Sequence, residues 1–327
     1  MPSGLAIVAV RRDGPADRAG VVPGETIEAV DGVPLTGRER DAMVEMIKGA
    51  PGTRVSLALR IAAGGDLRHV EATRGKVESD SVPAVRTIAG APRIGYLRLS
   101  QFSETTPSES RDALRSLVND GAAAIVLDLR HNLGGVVQAA VDVASLFLPP
   151  DTLVCTARAR DGAREYFTAV KDGFDPLTLP LVVLVDESSA SASEILAGAL
   201  QDHGRALVAG DRTYGKFLMQ TLVPLAHRGA LVRLTTARYV TPRGRSDQRG
   251  AARSLTAGLM PDVRVPLRSR EESDALAIQF AREAGPAWKT FASRDSSPVA
   301  PDRQLATALE LLRGAVAPAE PVSPRVN

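Results

Sequence analysis

The sequence predicts an α/β protein with a largely parallel sheet, preceded by a small unit of short strands and tight turns. Three observations carry that reading. Apolar runs such as LPLVVLVDE (179–187) are continuous, as strands buried on both faces are. They alternate with stretches such as 136–148, where apolar residues recur at helical spacing. The first 77 residues keep a different rhythm, with short strands set around Asp31-Gly32 and Gly64-Gly65.

Within residues 1–77, LAIVAV (5–10) reads as a strand and GPADRAGV (14–21) as a short helix closed by Gly20. PGETIEAVDGVPL (23–35) gives a turn, a strand and a second turn. GRERDAMVEMIKG (37–49) places Ala42, Met43, Met46 and Ile47 on one helical face and ends at Gly49. Residues 53–61 and 66–75 read as a hairpin. Residues 78–92 are polar, contain Pro83 and Pro92, and read as a linker.

A core spans 93–266. It opens with the strand RIGYLRLSQF and a helix with Pro107 in its first turn. A buried strand (123–130), a helix (136–148), a strand (179–187) and a helix (189–203) follow. RALVAGD, TLVPL and ALVRLTTARYVTP supply further strands. Residues 267–314 form a C-terminal segment that is helical at DRQLATALELLRG (302–314), and 315–327 read as a disordered Pro/Ala/Ser tail.

Composition narrows the function. The 327 residues carry 40 basic and 38 acidic side chains, a balance that gives no argument for nucleic acid or a membrane surface. No apolar run approaches the length of a membrane span. The N-terminus lacks the basic region and apolar run of a signal peptide. Cys155 stands alone, so no internal disulfide forms. His69, His131, His203 and His227 are scattered, which argues against a zinc site.

DESSASASE (186–194) sits between an apolar strand and an apolar helix. Helix N-terminal amides favour developing negative charge there, and small alanines leave room for a substrate backbone. Ser and Ala are also common in N-caps and tight helix–sheet contacts, so composition by itself favours a packing role. A reactive serine needs a base. His131, just past a strand end, is the best histidine, but the sequence shows no carboxylate partner for it. The other option is Lys216, a lysine in an apolar setting of an arginine-rich chain. Burial favours the loss of its proton. Gln220 lies four residues on, and in a helical turn it would share a face with Lys216.

Three segments together resemble the carboxyl-terminal processing (tail-specific) proteases, serine peptidases with a Ser–Lys dyad. They are LDLRHNLGG, the stretch from LVVLVDESSASASE through TYGK with Gln220, and LTTARYVTPRGRS. GPADRAGVVPGETIEAVDGVPL resembles the PDZ domain of that family. The resemblance implies a crotonase/ClpP-like layered α/β core and a PDZ domain incomplete at its N-terminus, because the usual peptide-pairing strand is missing. It implies Ser191 as nucleophile, Lys216 as base and Gln220 as its orienting partner. It also implies an oxyanion hole from the backbone N–H of Ala192 and that of Gly134 or Gly135. No metal or cofactor is required. Substrates would be proteins or peptides with apolar C-termini, with a homo-oligomer or an activating partner left open. The family implies the periplasm or cell envelope, whereas the lack of a visible signal leaves a cytoplasmic or mis-started chain open.

Two local departures stand out. Leu133 replaces the proline usual before the double glycine, and Phe217-Leu218-Met219 replaces Gly-Ser-Val after the lysine. Neither removes a reacting group, but bulkier residues would alter lysine burial or narrow the S1 side. The incomplete PDZ unit motivates the alternative of a catalytically impaired peptide-binding scaffold. The α/β core motivates an acyl-CoA-handling enzyme of the crotonase type, against which the Ser–Lys spacing argues.

Overall fold

A computed structural model describes residues 4–7, 10, 14–22, 24–61, 65–75, 81–171, 177–224, 231–246, 257–267 and 302–316. The chain divides into two compact units, Met1–Ser79 with Leu267–Asp302 and Asp80–Pro266 with Arg303–Asn327. Residues 268–301, most of the stretch read as a C-terminal helical segment, lie outside the described residues, as do 317–327 of the tail and His227.

The first unit is an antiparallel sheet of β1 (Leu5–Ala6), β2 (Glu25–Val30), β3 (Val33–Pro34), β4 (Arg54–Ile61) and β5 (Leu67–Thr73). Its order is β1-β2-β4-β5, with β3 hairpinned onto β2. Asp31 and Gly32 both take positive φ, 49° and 76°. That pairing suits a two-residue hairpin, whose twist matches that of its strands. Helix α1 (Pro15–Arg18) starts on a proline whose missing N–H costs nothing there. Helix α2 (Arg40–Ile47) buries Met43 against Val30, Leu35, Val55 and Leu59. Glu25 has no exposed surface, and a bidentate pair to Arg68 (2.6 and 2.7 Å) with the Val22 N–H satisfies it.

The second unit carries a six-stranded sheet in the order β15 (Val263–Arg264), β12 (Leu207–Gly210), β11 (Leu181–Val185), β8 (Ala124–Asp128), β7 (Ile94–Arg98), β6 (Ala84–Ile88). All neighbours are parallel except β6 on β7. An antiparallel sheet of β10 (Arg164–Thr168), β9 (Leu153–Ala159), β14 (Leu231–Val240) and β13 (Leu218–Pro224) adjoins it. Successive side chains of a strand point to opposite faces. Thus Ile125, Leu127, Val183 and Val185 meet helices α3 (Thr106–Asn119), α4 (Val137–Ala144) and α5 (Ala192–Asp202). Their neighbours Ala124, Val126, Val182 and Leu184 meet Ala308 and Leu312 of α6 (Arg303–Val316). Two covered faces explain why these strands read as unbroken apolar runs.

Strand β6 lies inside the stretch read as a linker. Its five residues, AVRTI, are none of them fully buried, as suits a short edge strand between prolines. Only pairing with β7 makes it a strand, and pairing is a tertiary fact. No helix among the described residues is long and apolar enough to cross a membrane.

One buried ion pair ties α6 to the sheet. Arg130 and Asp128 have no exposed surface and meet at 2.6 Å. Tyr96 donates its hydroxyl to Asp128 at 2.8 Å, and Arg130 donates to Gln304 of α6 at 3.2 Å. Gln304 in turn donates to the Val265 carbonyl at 2.9 Å. Removing one partner leaves a buried charge uncompensated. Arg130→Leu should therefore lower the unfolding free energy in urea titration by about 3–5 kcal/mol. A loss below about 1 kcal/mol, the range of a solvated pair, would show that water reaches the carboxylate.

Candidate active site

Strands β8, β11 and β12 are parallel neighbours, so their carboxyl ends lie side by side. The segments leaving those ends are 129–136, 186–191 and 211–217, and they hold the residues singled out by the sequence. Clefts at the carboxyl ends of parallel strands are where such sheets place their sites.

Ser191 joins the 186–191 turn to α5. Its φ of 58° and ψ of −115° are uncommon for a residue with a Cβ. Residues 186–191 join the strand to the helix, and a sharp turn at the last of them presents one side chain outward. Its neighbours are committed elsewhere. Ser189 is buried and donates its hydroxyl to the Leu129 carbonyl at 2.9 Å. Ser193 is buried and donates to the Asn132 carbonyl at 2.8 Å. Ser191 is half-buried at the mouth of the turn.

Glu194 has no exposed surface. One carboxylate oxygen accepts the N–H of Ser191 (2.9 Å) and of Lys216 (2.8 Å). The other accepts the Thr213 hydroxyl (2.5 Å) and the Gly215 N–H (2.7 Å). Two nitrogens bonded to one oxygen are neighbours, so the backbones of Ser191 and Lys216 are adjacent although 25 positions separate them in sequence. Burial pushes the Glu194 carboxyl above its ordinary range, and its four donors offset only part of that.

Lys216 is half-buried and opens the approach to β13. Phe217 packs in the core, and its carbonyl accepts the Tyr239 N–H at 2.8 Å. The bulky residue after the lysine therefore fills the core rather than lining a pocket. The helical turn expected over 216–220 is absent. Gln220 sits in β13, exposed, next to a bulge between Met219 and Gln220. Extended chain spans about 3.3 Å per residue, so four residues on is not one turn away. The apolar run after the lysine fits a strand as well as a helix, and pairing with β14 decided it. Among the described residues no hydrogen bond joins Ser191 Oγ to Lys216 Nζ; Glu194 links them.

The double glycine is required by close approach. A Cβ on Gly134 would come within 2.8 Å of Ser191 Cβ and 3.0 Å of the Ala192 nitrogen. One on Gly135 would meet the Phe102 carbonyl oxygen at 2.0 Å. Asn132 shapes this loop, accepting the Gly134 N–H at 2.9 Å and donating to the Leu99 carbonyl at 3.0 Å. Its own carbonyl accepts the Ala190 N–H at 3.0 Å. The N–H groups of Gly135 and Ala192 have no acceptor among the described residues. Leu133, in the proline position, is 71% exposed beside them.

Of the histidines, His131 does have a carboxylate neighbour, Asp186, at 2.6 Å. His203 caps α5 with Nε2 2.7 Å from the Leu153 carbonyl, and His69 lies exposed on β5. Sequence reasoning passed over Asn132, Asp186, Thr213 and Glu194. An Asn before paired glycines and a Glu three residues after a turn serine were the available signals.

Peptidase family S41 matches residues 93–265, and a PDZ domain matches residues 7–61. A carboxyl-terminal-processing protease of Synechocystis sp. is 38% identical, over 96% of this chain and 66% of its own length. A carboxy-terminal-processing protease of Bartonella bacilliformis is 33% identical, over 95% of this chain and 72% of its own. Other curated relatives are longer still, with only 47% of a chloroplastic processing peptidase of Arabidopsis thaliana covered. The solved photosystem II D1 C-terminal processing protease is similar in structure, at 34% identity and a TM-score of 0.56, over 81% of this chain and 69% of that one.

The raised Glu194 carboxyl has a pH signature. The folded protein binds that proton more tightly than the unfolded chain does. The stability it adds is complete below the ordinary glutamate range and is lost as pH rises through the raised value. Urea titrations at stepped pH should show the parent's unfolding free energy falling relative to Glu194→Gln across that window. A difference that stays flat would mean that the carboxyl titrates as in the unfolded chain.

Proposed function

The chain belongs to peptidase family S41, and on that premise we propose that it is a serine endopeptidase that cleaves proteins near apolar C-terminal tails, with Ser191 as nucleophile and Lys216 as base. One observation carries the assignment. Glu194 holds the backbones of Ser191 and Lys216 on a single oxygen, while the serines on either side are tied into the core.

The neutral Lys216 amine takes the Ser191 hydroxyl proton as the serine oxygen attacks a peptide carbonyl carbon. The tetrahedral oxyanion is held by the N–H groups of Ala192 and Gly135, the two left without acceptors. Gly134, whose N–H is committed to Asn132, contributes closeness instead. Removing one such donor typically costs ~3–4 kcal/mol of barrier lowering. As the C–N bond breaks, the Lys216 ammonium returns its proton to the leaving amine. Water, deprotonated by the Lys216 amine, then adds to the acyl carbon, and the lysine passes that proton to Ser191 Oγ as the ester C–O bond breaks and the carboxyl product leaves. The bond between serine and lysine is one that catalytic groups commonly tighten only with substrate in place. Gln220 remains the proposed orienting partner of the amine; it lies on β13 rather than on a helical turn, while the Lys216 N–H bond to Glu194 fixes the backbone from which the lysine side chain leaves.

Substrate recognition falls to the first unit. It contains a cavity of about 560 Å³ lined by Val44 and Ile47 of α2, Val55 and Leu57 of β4, and Ala72 of β5. An apolar chain end is the ligand such walls favour.

Cleavage of an unstructured peptide with an apolar C-terminus tests the assignment. Ser191→Ala and Lys216→Ala should each reduce kcat by about 10⁴-fold or more, while Ser193→Ala keeps the greater part of the parent's turnover. A fluorophosphonate probe should label Ser191 alone. Equal losses at Ser191 and Ser193 would break the nucleophile assignment. Tail binding without turnover or labelling would favour a peptide-binding scaffold, and thioesterase activity in place of peptidase activity a crotonase-type enzyme.

A further inference from the structure

The two proposed oxyanion donors come from different segments, Gly135 from the one after β8 and Ala192 from the turn after β11. A donor is useful only at about 2.7–3.1 Å from the developing oxyanion, so the register of one segment on the other matters to rate. The Leu129 and Asn132 carbonyls supply ties, to the Ser189 hydroxyl and to Ala190 and Ser193 respectively. None of these engages His131, which lies between them in the loop.

A further tie, to His131, lies at Asp186. This carboxylate ends β11 and is almost wholly buried. From its own turn it accepts the N–H groups of Ser188 and Ser189, each at 3.0 Å. From the glycine loop it accepts the His131 N–H with both oxygens, at 3.0 and 3.1 Å. The His131 ring closes on it as well, with Nδ1 lying 2.6 Å from Oδ2. His131 takes a φ of 59°, a left-handed conformation that aims both its N–H and its ring at the carboxylate. Burial would raise the Asp186 carboxyl; the His131 ring and the backbone donors outweigh it and hold the group below the usual carboxylate range, so it is charged at neutral pH.

We infer that Asp186 and His131 form a positioning pair that sets the orientation of the glycine loop on the serine turn, and so the aim of the Gly135 N–H at the oxyanion. Neither residue touches the reacting atoms. The inference rests on the peptidase reading above. Its signature is kinetic: the pair acts on the transition state, where the oxyanion exists, and little on the bound substrate, whose carbonyl is neutral.

The test is steady-state kinetics on the full chain with a fluorogenic peptide, with thermal unfolding followed in parallel. Asp186→Ala and His131→Ala should each lower kcat about 10- to 100-fold, the scale of a misplacement near 1 Å, with KM changed less than about threefold. The double variant should be no worse than the weaker single, because the two residues act as one unit. Asparagine tolerates positive φ and offers an amide N–H to the carboxylate, so His131→Asn should recover kcat to within about threefold of the parent. Should Asp186→Ala fail to fold, the two His131 variants decide alone, since that ring is part-exposed. The pairing is overturned if losses add, if kcat merely follows the folded fraction, or if His131→Asn is no better than His131→Ala. A fully active Asp186→Ala beside an inactive Ser191→Ala sinks the pairing and spares the peptidase reading; an active Ser191→Ala sinks both.

Discussion

A carboxylate with no access to water organises this site. Glu194 lies on the first turn of α5, and its four donors come from the serine turn just before it and from a segment 19 to 22 residues on. A buried charge is costly unless its hydrogen bonds are made. Each donor that strays raises that cost for the others, so the serine turn and the lysine segment are ordered together or not at all. The half-capping box that Glu194 makes with Ser191 is ordinary helix chemistry; the extension to Thr213, Gly215 and Lys216 turns a cap into a clamp.

The clamp works because of the sheet beneath it. Three adjacent parallel strands, β8, β11 and β12, deliver three segments to one edge, and each carries one part of the arrangement: the paired glycines, the serine and the lysine. Both faces of that sheet are covered, by α3, α4 and α5 on one and α6 on the other, so the strand ends are held against a packed interior. Asp128 and Arg130, at the end of β8, anchor α6 with the same strand that delivers the glycines. Stability of the C-terminal helix and the placement of the glycine loop therefore share a support.

Backbone geometry separates the three candidate serines more sharply than composition does. Ser189 and Ser193 have neighbours of the same kind on either side in sequence, but their hydroxyls end on carbonyl oxygens of the glycine segment. They hold the turn in the shape that leaves Ser191 at a φ of 58°. Strain at one residue persists when its surroundings over-determine it, and here buried hydroxyls and the Glu194 carboxylate do so. Asn132 plays the matching part in the facing loop, engaging the Gly134 N–H while leaving that of Gly135 open.

The order of strands and helices in the second unit was readable from residues alone, because burial on two faces writes itself as continuous apolar runs and burial on one writes itself as helical spacing. Ser191, Lys216 and the paired glycines stood out through the resemblance of three segments to a protease family, since composition by itself favoured a packing role for the serines. What lies between distant segments was not readable. Strand β6 looked like a linker because nothing in AVRTI announces the edge it joins. Gln220 was linked to Lys216 by a spacing of four, which a helical turn would bring into contact and which extended chain holds apart along the strand. The work of Glu194, Asp186 and Asn132 was invisible because a buried polar side chain is defined by its partners, and theirs lie on other strands. Local pattern sets which elements form; only the packed sheet decides which of their ends meet.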